Sequence, residues 1–208
     1  MTDAQQDHIN FDVMFATHDA FRRDLERLEA AALAGKTDTP QVRAGWENFK
    51  HQLHIHHTVE DERLWPTVQS KVGDAPGPNE LLREMEAEHA QLDPVLTAVD
   101  EALATKSPDL VEKIKELGAV LGFHMKHEEE NALPLIQETC TNADWKNFAA
   151  GMARAQGIKG AAVYIPWILD DISEADRQRF LVNMPPPARA LNKLFWESSY
   201  RKKHLWQY

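Results

Sequence analysis

Cysteine is nearly absent from this sequence. The single thiol, Cys140, rules out an internal disulfide, and one thiol cannot build an iron–sulfur or zinc–thiolate site without help. Any bound metal ion must therefore rest on nitrogen and oxygen ligands. Basic residues are also in the minority, since 23 Lys and Arg face 33 Asp and Glu and the net charge is -10. This charge argues against a nucleic acid or an anionic membrane as partner.

Long apolar runs are missing as well. No stretch reaches the roughly 20 apolar residues that a membrane-spanning helix needs, and the N-terminal MTDAQQDH has neither a basic start nor an apolar run. We therefore expect a cytoplasmic protein. With 43% hydrophobic residues in a chain of 208, a sizeable core can form and the chain should fold alone.

Helical periodicity is present in four long segments. Apolar residues recur at spacings of three and four from about residue 9 to 33, from Pro40 to about Pro66, from about 79 to 105, and from about Pro108 to Pro134. Short connections such as the Gly73 to Pro78 loop separate them. The pattern predicts an all-α protein, an up-down-up-down four-helix bundle.

The composition shifts towards Trp, Gly and Pro after about residue 140. Short amphipathic helices are predicted near 142–156, 161–171, 173–182 and 186–198. So few residues favour an extension folded over the bundle rather than a second core. We accordingly divide the chain into a bundle over 1–140 and a C-terminal helical extension over 141–208 that does not fold independently.

Histidine and glutamate interrupt the apolar stripes in a repeated way. Positions 56, 60 and 66 recur 68 residues later as 124, 128 and 134, so that HHTVEDERLWP and HMKHEEENALP are two copies of one segment. Two further histidines, one on the first and one on the third helix, lie 71 residues apart. We interpret this as an internal duplication. The candidate metal ligands are His18, His56, Glu60, His89, His124 and Glu128.

The spacing of these residues explains how they could hold metal. Side chains four apart on a helix lie about 5–6 Å apart on one face, so a histidine and a glutamate can reach the same ion. A carboxylate can bridge two ions and a neutral imidazole ligates one, so four His and two Glu describe a dinuclear centre. Oxygen with imidazole nitrogen suits iron or manganese. With an oxide or hydroxide bridge, about two of about twelve octahedral positions remain free for a small molecule.

Several alternatives stay open at this point. A single histidine on an apolar face is usually a core residue, but four such stripes converging have no comparably simple structural explanation. His57 and Asp61 repeat the same spacing one residue later; helical rotation favours His56 and Glu60 for the inner face. Asp93, one turn after His89, and His127 are expected beside the metal, and whether Asp93, His57 or His127 binds it is undecided.

These residues resemble the hemerythrin-like, or HHE, family, whose pattern is His, His-x-x-x-Glu, His, His-x-x-x-Glu across a four-helix bundle. The resemblance covers about residues 8–138, and the tail is similar to the extension of some bacterial members. It implies an oxo- or hydroxo-bridged pair of iron ions, Mn or Zn being alternatives, held by the six matching residues. Oxygen-carrying hemerythrins have a fifth His where this chain has Asp93, which would leave a second iron position accessible.

The resemblance therefore implies a non-haem di-iron protein that binds or reacts with dioxygen, peroxide or nitric oxide. Enzymatic consumption of peroxide or nitric oxide is one form of this hypothesis. The alternative is a non-enzymatic oxygen or iron sensor or store that signals through the C-terminal segment. Small molecules are the expected partners, without nucleic acid or membrane.

Overall fold

The computed structural model describes residues 8–208, so the first seven residues of the predicted bundle lie outside it. Within the described part, the regular structure is entirely helical and contains no strand. The all-α bundle with a C-terminal helical extension packed on it is confirmed. No helix in this part is long and apolar enough to cross a membrane.

Four long rods form the bundle in residues 12–139. The first is α1 (Asp12–Leu33), and the second joins α2 (Pro40–Val59) to α3 (Trp65–Val72) through a π-helical turn at Glu60–Leu64. The third is α4 (Pro76–Thr105). The fourth joins α5 (Leu110–His127) to α6 (Leu133–Thr139) through a second π-helical turn at Glu128–Ala132. The second rod thus continues past Pro66 to Val72.

The two prolines explain why the π turns occur where they do. Proline lacks an N–H, and its ring clashes with the carbonyl four residues earlier in an α-helix. A wider turn just before Pro66 and Pro134 avoids this clash. In these turns the N–H of Trp65 donates to the carbonyl of Glu60, and the N–H of Leu133 donates to that of Glu128, a spacing of five residues. Both copies of the duplicated segment therefore place a candidate glutamate at the start of a π turn.

Two apolar cores lie at opposite ends of the bundle. The first core includes Phe21, Phe49, Leu92 and Leu117, and the second core includes Trp65, Val68, Met85 and Ile136. On every rod the predicted histidines and glutamates fall near the point where the residues of one core give way to those of the other. The fold therefore places a polar layer between two close-packed apolar regions, where water is excluded.

The C-terminal extension consists of α7 (Asn142–Ile168), α8 (Glu174–Val182), α9 (Pro186–Leu191) and α10 (Glu197–Arg201), with a π turn at Asn192–Trp196. Gly157, at φ 59° and ψ -177°, breaks α7 into two pieces. In the extension, α7 packs on α1 and α2, and α8 packs on α1. Trp167 is fully buried against Phe21, with ring centroids 5.2 Å apart, and its Nε1 donates to Asp24 Oδ2 at 2.8 Å. The extension and the bundle thus share the first core.

Candidate metal centre

The structure brings all six predicted residues together in the polar layer. Their exposure is at most 3%, except for His89 at 8%. Histidines on an apolar stripe could each have been separate core residues, but here four helices direct them to one place. The ring nitrogens and carboxylate oxygens converge in the interior of the bundle.

The four histidines form two pairs. Nε2 of His18 lies 3.2 Å from Nε2 of His56, and Nε2 of His89 lies 3.1 Å from Nε2 of His124. Each pair combines the two rods of one helical hairpin. At this distance the lone pairs of two Nε2 atoms repel each other, unless a proton or a metal cation lies between them.

Glu60 connects the two pairs. Its Oε1 lies 3.1 Å from Nε2 of His56, and its Oε2 lies 3.7 Å from Nε2 of His89. Oε2 of Glu128 lies 3.2 Å from Nε2 of His18. One carboxylate therefore faces both histidine pairs, as a ligand shared by two neighbouring ions would.

The buried carboxylates test whether this layer fits a cation. Both oxygens of Glu60 and both oxygens of Glu128 are shielded from solvent and have no hydrogen-bond partner among the described residues. Burying a carboxylate charge costs several kcal/mol unless a cation, either a protonated histidine or a metal ion, lies beside it. In the described part of the chain, two groups of side chains place their ligand atoms within 4.8 Å of one another. One group is His18, His56 and Glu128, and the other is His57, Glu60, His89 and His124. The donor set therefore fits metal ions.

A crossed set of hydrogen bonds orients two of the histidines. Nδ1 of His18 donates to Oε1 of Glu129 at 2.7 Å, and Nδ1 of His89 donates to Oδ1 of Asp61 at 2.8 Å. Each carboxylate directly follows a candidate glutamate, yet it holds the histidine of the other hairpin. A proton fixed on Nδ1 leaves the Nε2 lone pair directed into the centre, which is the tautomer that a metal ligand needs.

The structure separates the three residues whose role the sequence left undecided. Asp93 is exposed and belongs to neither group. His127 lies outside the cluster and donates through Nδ1 to Glu88 at 2.7 Å, while the other oxygen of Glu88 accepts from Nδ1 of His124 at 3.0 Å. His57, in contrast, lies within the cluster.

His57 is the residue that helical rotation placed off the inner face. Its ring stacks on His89 with centroids 4.0 Å apart, and its Nε2 is buried without a hydrogen-bond partner among the described residues. A bundle helix packs against two neighbours, so its inner face spans 100° or more, and consecutive histidines can both fall within it. The two consecutive histidines at 56 and 57 were the sequence feature that could have indicated a second histidine in the cluster. Asp61 does not accompany His57, because it binds His89 instead.

Charge is unevenly distributed in the metal-free centre. Burial lowers the pKa of His18, but the carboxylates of Glu128 and Glu129 outweigh it and raise that pKa to about 9. Burial, then the charge of neighbouring histidines, lowers the pKa of His56 and of His57 well below the usual value. Burial and the charge of Glu128 raise the pKa of Glu60. Without metal, His18 therefore carries the proton that pairs with Glu128.

Buried histidines and carboxylates on four antiparallel rods define a class of helical, metal-binding proteins. The family model of the hemerythrin HHE cation-binding domain matches residues 10–136, and the chain belongs to this family. The matched region contains all six predicted residues. No curated protein and no solved structure matches the chain.

Proposed function

We propose that the protein is a non-haem di-iron protein that binds or reacts with dioxygen, peroxide or nitric oxide. The observation that carries this proposal is the position of Glu60 between the two histidine pairs. In this proposal His18 and His56 would hold one ion and His89 and His124 the other, and Glu60 and Glu128 would be carboxylate ligands shared by both. Imidazole with carboxylate oxygen is a donor set that iron accepts readily.

The burial of the centre supports a small ligand. A surface depression of about 260 Å³ lies between α4 and α5 and is lined by Glu88, Gln91, Ala119, Val120 and Phe123. One of these lining residues, Glu88, contacts the centre, because its carboxylate accepts a hydrogen bond from His124. Because the six residues are buried, we expect a ligand as small as dioxygen, peroxide or nitric oxide rather than a larger substrate.

The surrounding residues support redox chemistry with such a ligand. Iron in this position would supply one-electron exchange with the bound molecule. Glu129 accepts hydrogen bonds from Nδ1 of His18 and from Nη2 of Arg22, the latter at 2.8 Å. The Arg22 side chain is 35% exposed. Burial raises the pKa of Glu129, but the hydrogen bonds from His18 and Arg22 outweigh this effect and lower that pKa. An ionised Glu129 therefore links the buried imidazole to the partly exposed Arg22 and stabilises positive charge on the imidazole.

Iron content and a visible spectrum test the proposal. Anaerobic reconstitution with ferrous iron should give two irons per chain, and mixing with oxygen or peroxide should produce a charge-transfer band. A stable, reversible band indicates binding, and rapid loss of peroxide indicates an enzyme. The Glu60→Ala variant should lose the dinuclear spectrum, whereas His54→Ala, at an exposed position on the same helix, should retain it. A protein that reconstitutes only with zinc would contradict the proposal.

A sensor is the second candidate, and one contact favours it. The Tyr164 hydroxyl of α7 lies 2.8 Å from Oγ1 of Thr17, the residue before His18. Burial and the charge of Glu60 raise the pKa of Tyr164 to about 12. A change in the oxidation state or ligands of the centre could thus alter the position of α7 in the extension. In that case the rate of proteolysis within 141–208 should differ between the ferrous and the oxidised protein, without turnover of peroxide.

A further inference from the structure

The residue that follows the candidate histidine differs between the two copies of the duplicated segment. His57 follows His56, and at the equivalent place Met125 follows His124. Met125 is 1% exposed and packs in the first core. A methionine therefore satisfies this position by packing alone, so packing does not require a histidine at 57.

The contacts of His57 point to one half of the centre. His57 belongs to the group with Glu60, His89 and His124, in which one ligand atom of each residue lies within 4.8 Å of the others. The ring centroids of His57 and His124 are 5.1 Å apart and perpendicular. His56, the preceding residue on the same helix, belongs to the other group. Two consecutive histidines of α2 thus face two different ion positions.

The Nε2 atom of His57 is buried and has no hydrogen-bond partner among the described residues, which is costly for a polar nitrogen unless a ligand satisfies it. We propose that His57 is a further metal ligand, and that it binds the ion held by His89 and His124. This inference rests on the proposed di-iron function. It makes the two halves of a duplicated centre unequal.

The inequality decides how many positions are open to an exogenous ligand. The half with His57 has three imidazoles, and the half with His18 and His56 has two. If both carboxylates and one solvent-derived bridge are shared, about six of about six octahedral positions are filled on the first ion and about five on the second. A small molecule then binds at the His18 and His56 half only. Six ligands without His57 would leave about one open position on each ion.

Azide titration of the iron-loaded protein, combined with iron-57 Mössbauer spectroscopy, tests the proposal. The wild type should bind two irons and one azide per chain, and its irons should give two distinct quadrupole doublets. His57→Met introduces the residue found at the equivalent position. This variant should bind two azides per chain, and it should hold one of its irons at least about tenfold more weakly. His57→Gln should behave in the same way.

The exposed His54→Gln on the same helix is the matched control and should keep one azide and two doublets. Circular dichroism of the metal-free variants establishes that they fold. Two azides per chain in the wild type would overturn the role of His57 without any variant, and so would unchanged iron affinity and azide binding in a folded His57→Met. Fewer than two irons per wild-type chain would instead overturn the proposed di-iron function.

Discussion

Removing the metal should make the protein less stable as the pH rises from neutral to mildly alkaline. His18 is the group responsible: its pKa is about 9 in the folded, metal-free chain against 6.5 in the unfolded one. A raised pKa contributes stability that is fully present below pH 6.5 and is lost as the pH rises through about 9. One pKa unit corresponds to about 1.4 kcal/mol, so the loss should be about 3 kcal/mol.

The other buried groups either do not change the folding stability in this pH range or lower it with rising pH as His18 does. The pKa of Glu60 is also raised, so its contribution falls with rising pH as well. The depressed pKa values of His56, His57 and His124 affect stability only below their unfolded value of 6.5. For a chain of this size, a loss of about 3 kcal/mol lowers the melting temperature by about 6–12 °C.

Thermal unfolding by circular dichroism between pH 6.5 and 9, with and without metal, measures this effect. In the metal-loaded protein Nε2 of His18 would carry no proton, and metal affinity rises with pH because the ligands must be deprotonated. In the metal-loaded protein, the decrease of stability with rising pH should therefore disappear or become an increase. His18→Asn should flatten the metal-free slope and the exposed His54→Asn should not. A metal-free protein whose stability is constant or rises over this range would refute the reasoning.

Three further predictions concern the surroundings of the centre. Asp61→Asn should weaken metal binding by about 10–100-fold, measured by competition with a chelator, because the α4 histidine loses its orienting carboxylate. Trp167→Phe should cost about 1–3 kcal/mol in urea unfolding, since the buried Asp24 loses a donor; equal stability would contradict this. Gly45→Ala should cost about 1–3 kcal/mol, because its Cβ would approach the Trp206 ring to 2.5 Å; unchanged tryptophan fluorescence and melting would argue against that contact.

The fold was largely predictable because its signals are local. Apolar spacing and breakers located the four rods, and Gly157 interrupts α7 close to the predicted end of a helix at 156. The passage of the second rod through Pro66 was not predictable from a regular helical pattern. A π turn adds a residue to one turn, and periodicity calculated at a constant angle per residue does not detect it.

The candidate centre was predictable for the residues on the centres of the apolar stripes. The duplication supplied the register of His56 with Glu60, and the structure brings these two together. The place of His57 stayed undecided, because a rotation angle gives the direction of a Cβ atom and not the reach of an imidazole. The orienting roles of Asp61 and Glu129 depend on which rods are neighbours, which the pattern of one helix does not contain.

The crossed hydrogen bonds imply that neither hairpin can complete the centre by itself. His18 is oriented by Glu129 of the second hairpin, and His89 by Asp61 of the first. A segment containing only residues 8–72 would have to pair with a second copy, so that Asp61 of one copy orients His18 of the other. Iron uptake by such a fragment would then depend on the square of its concentration, whereas in the intact chain the covalent connection makes it a first-order event.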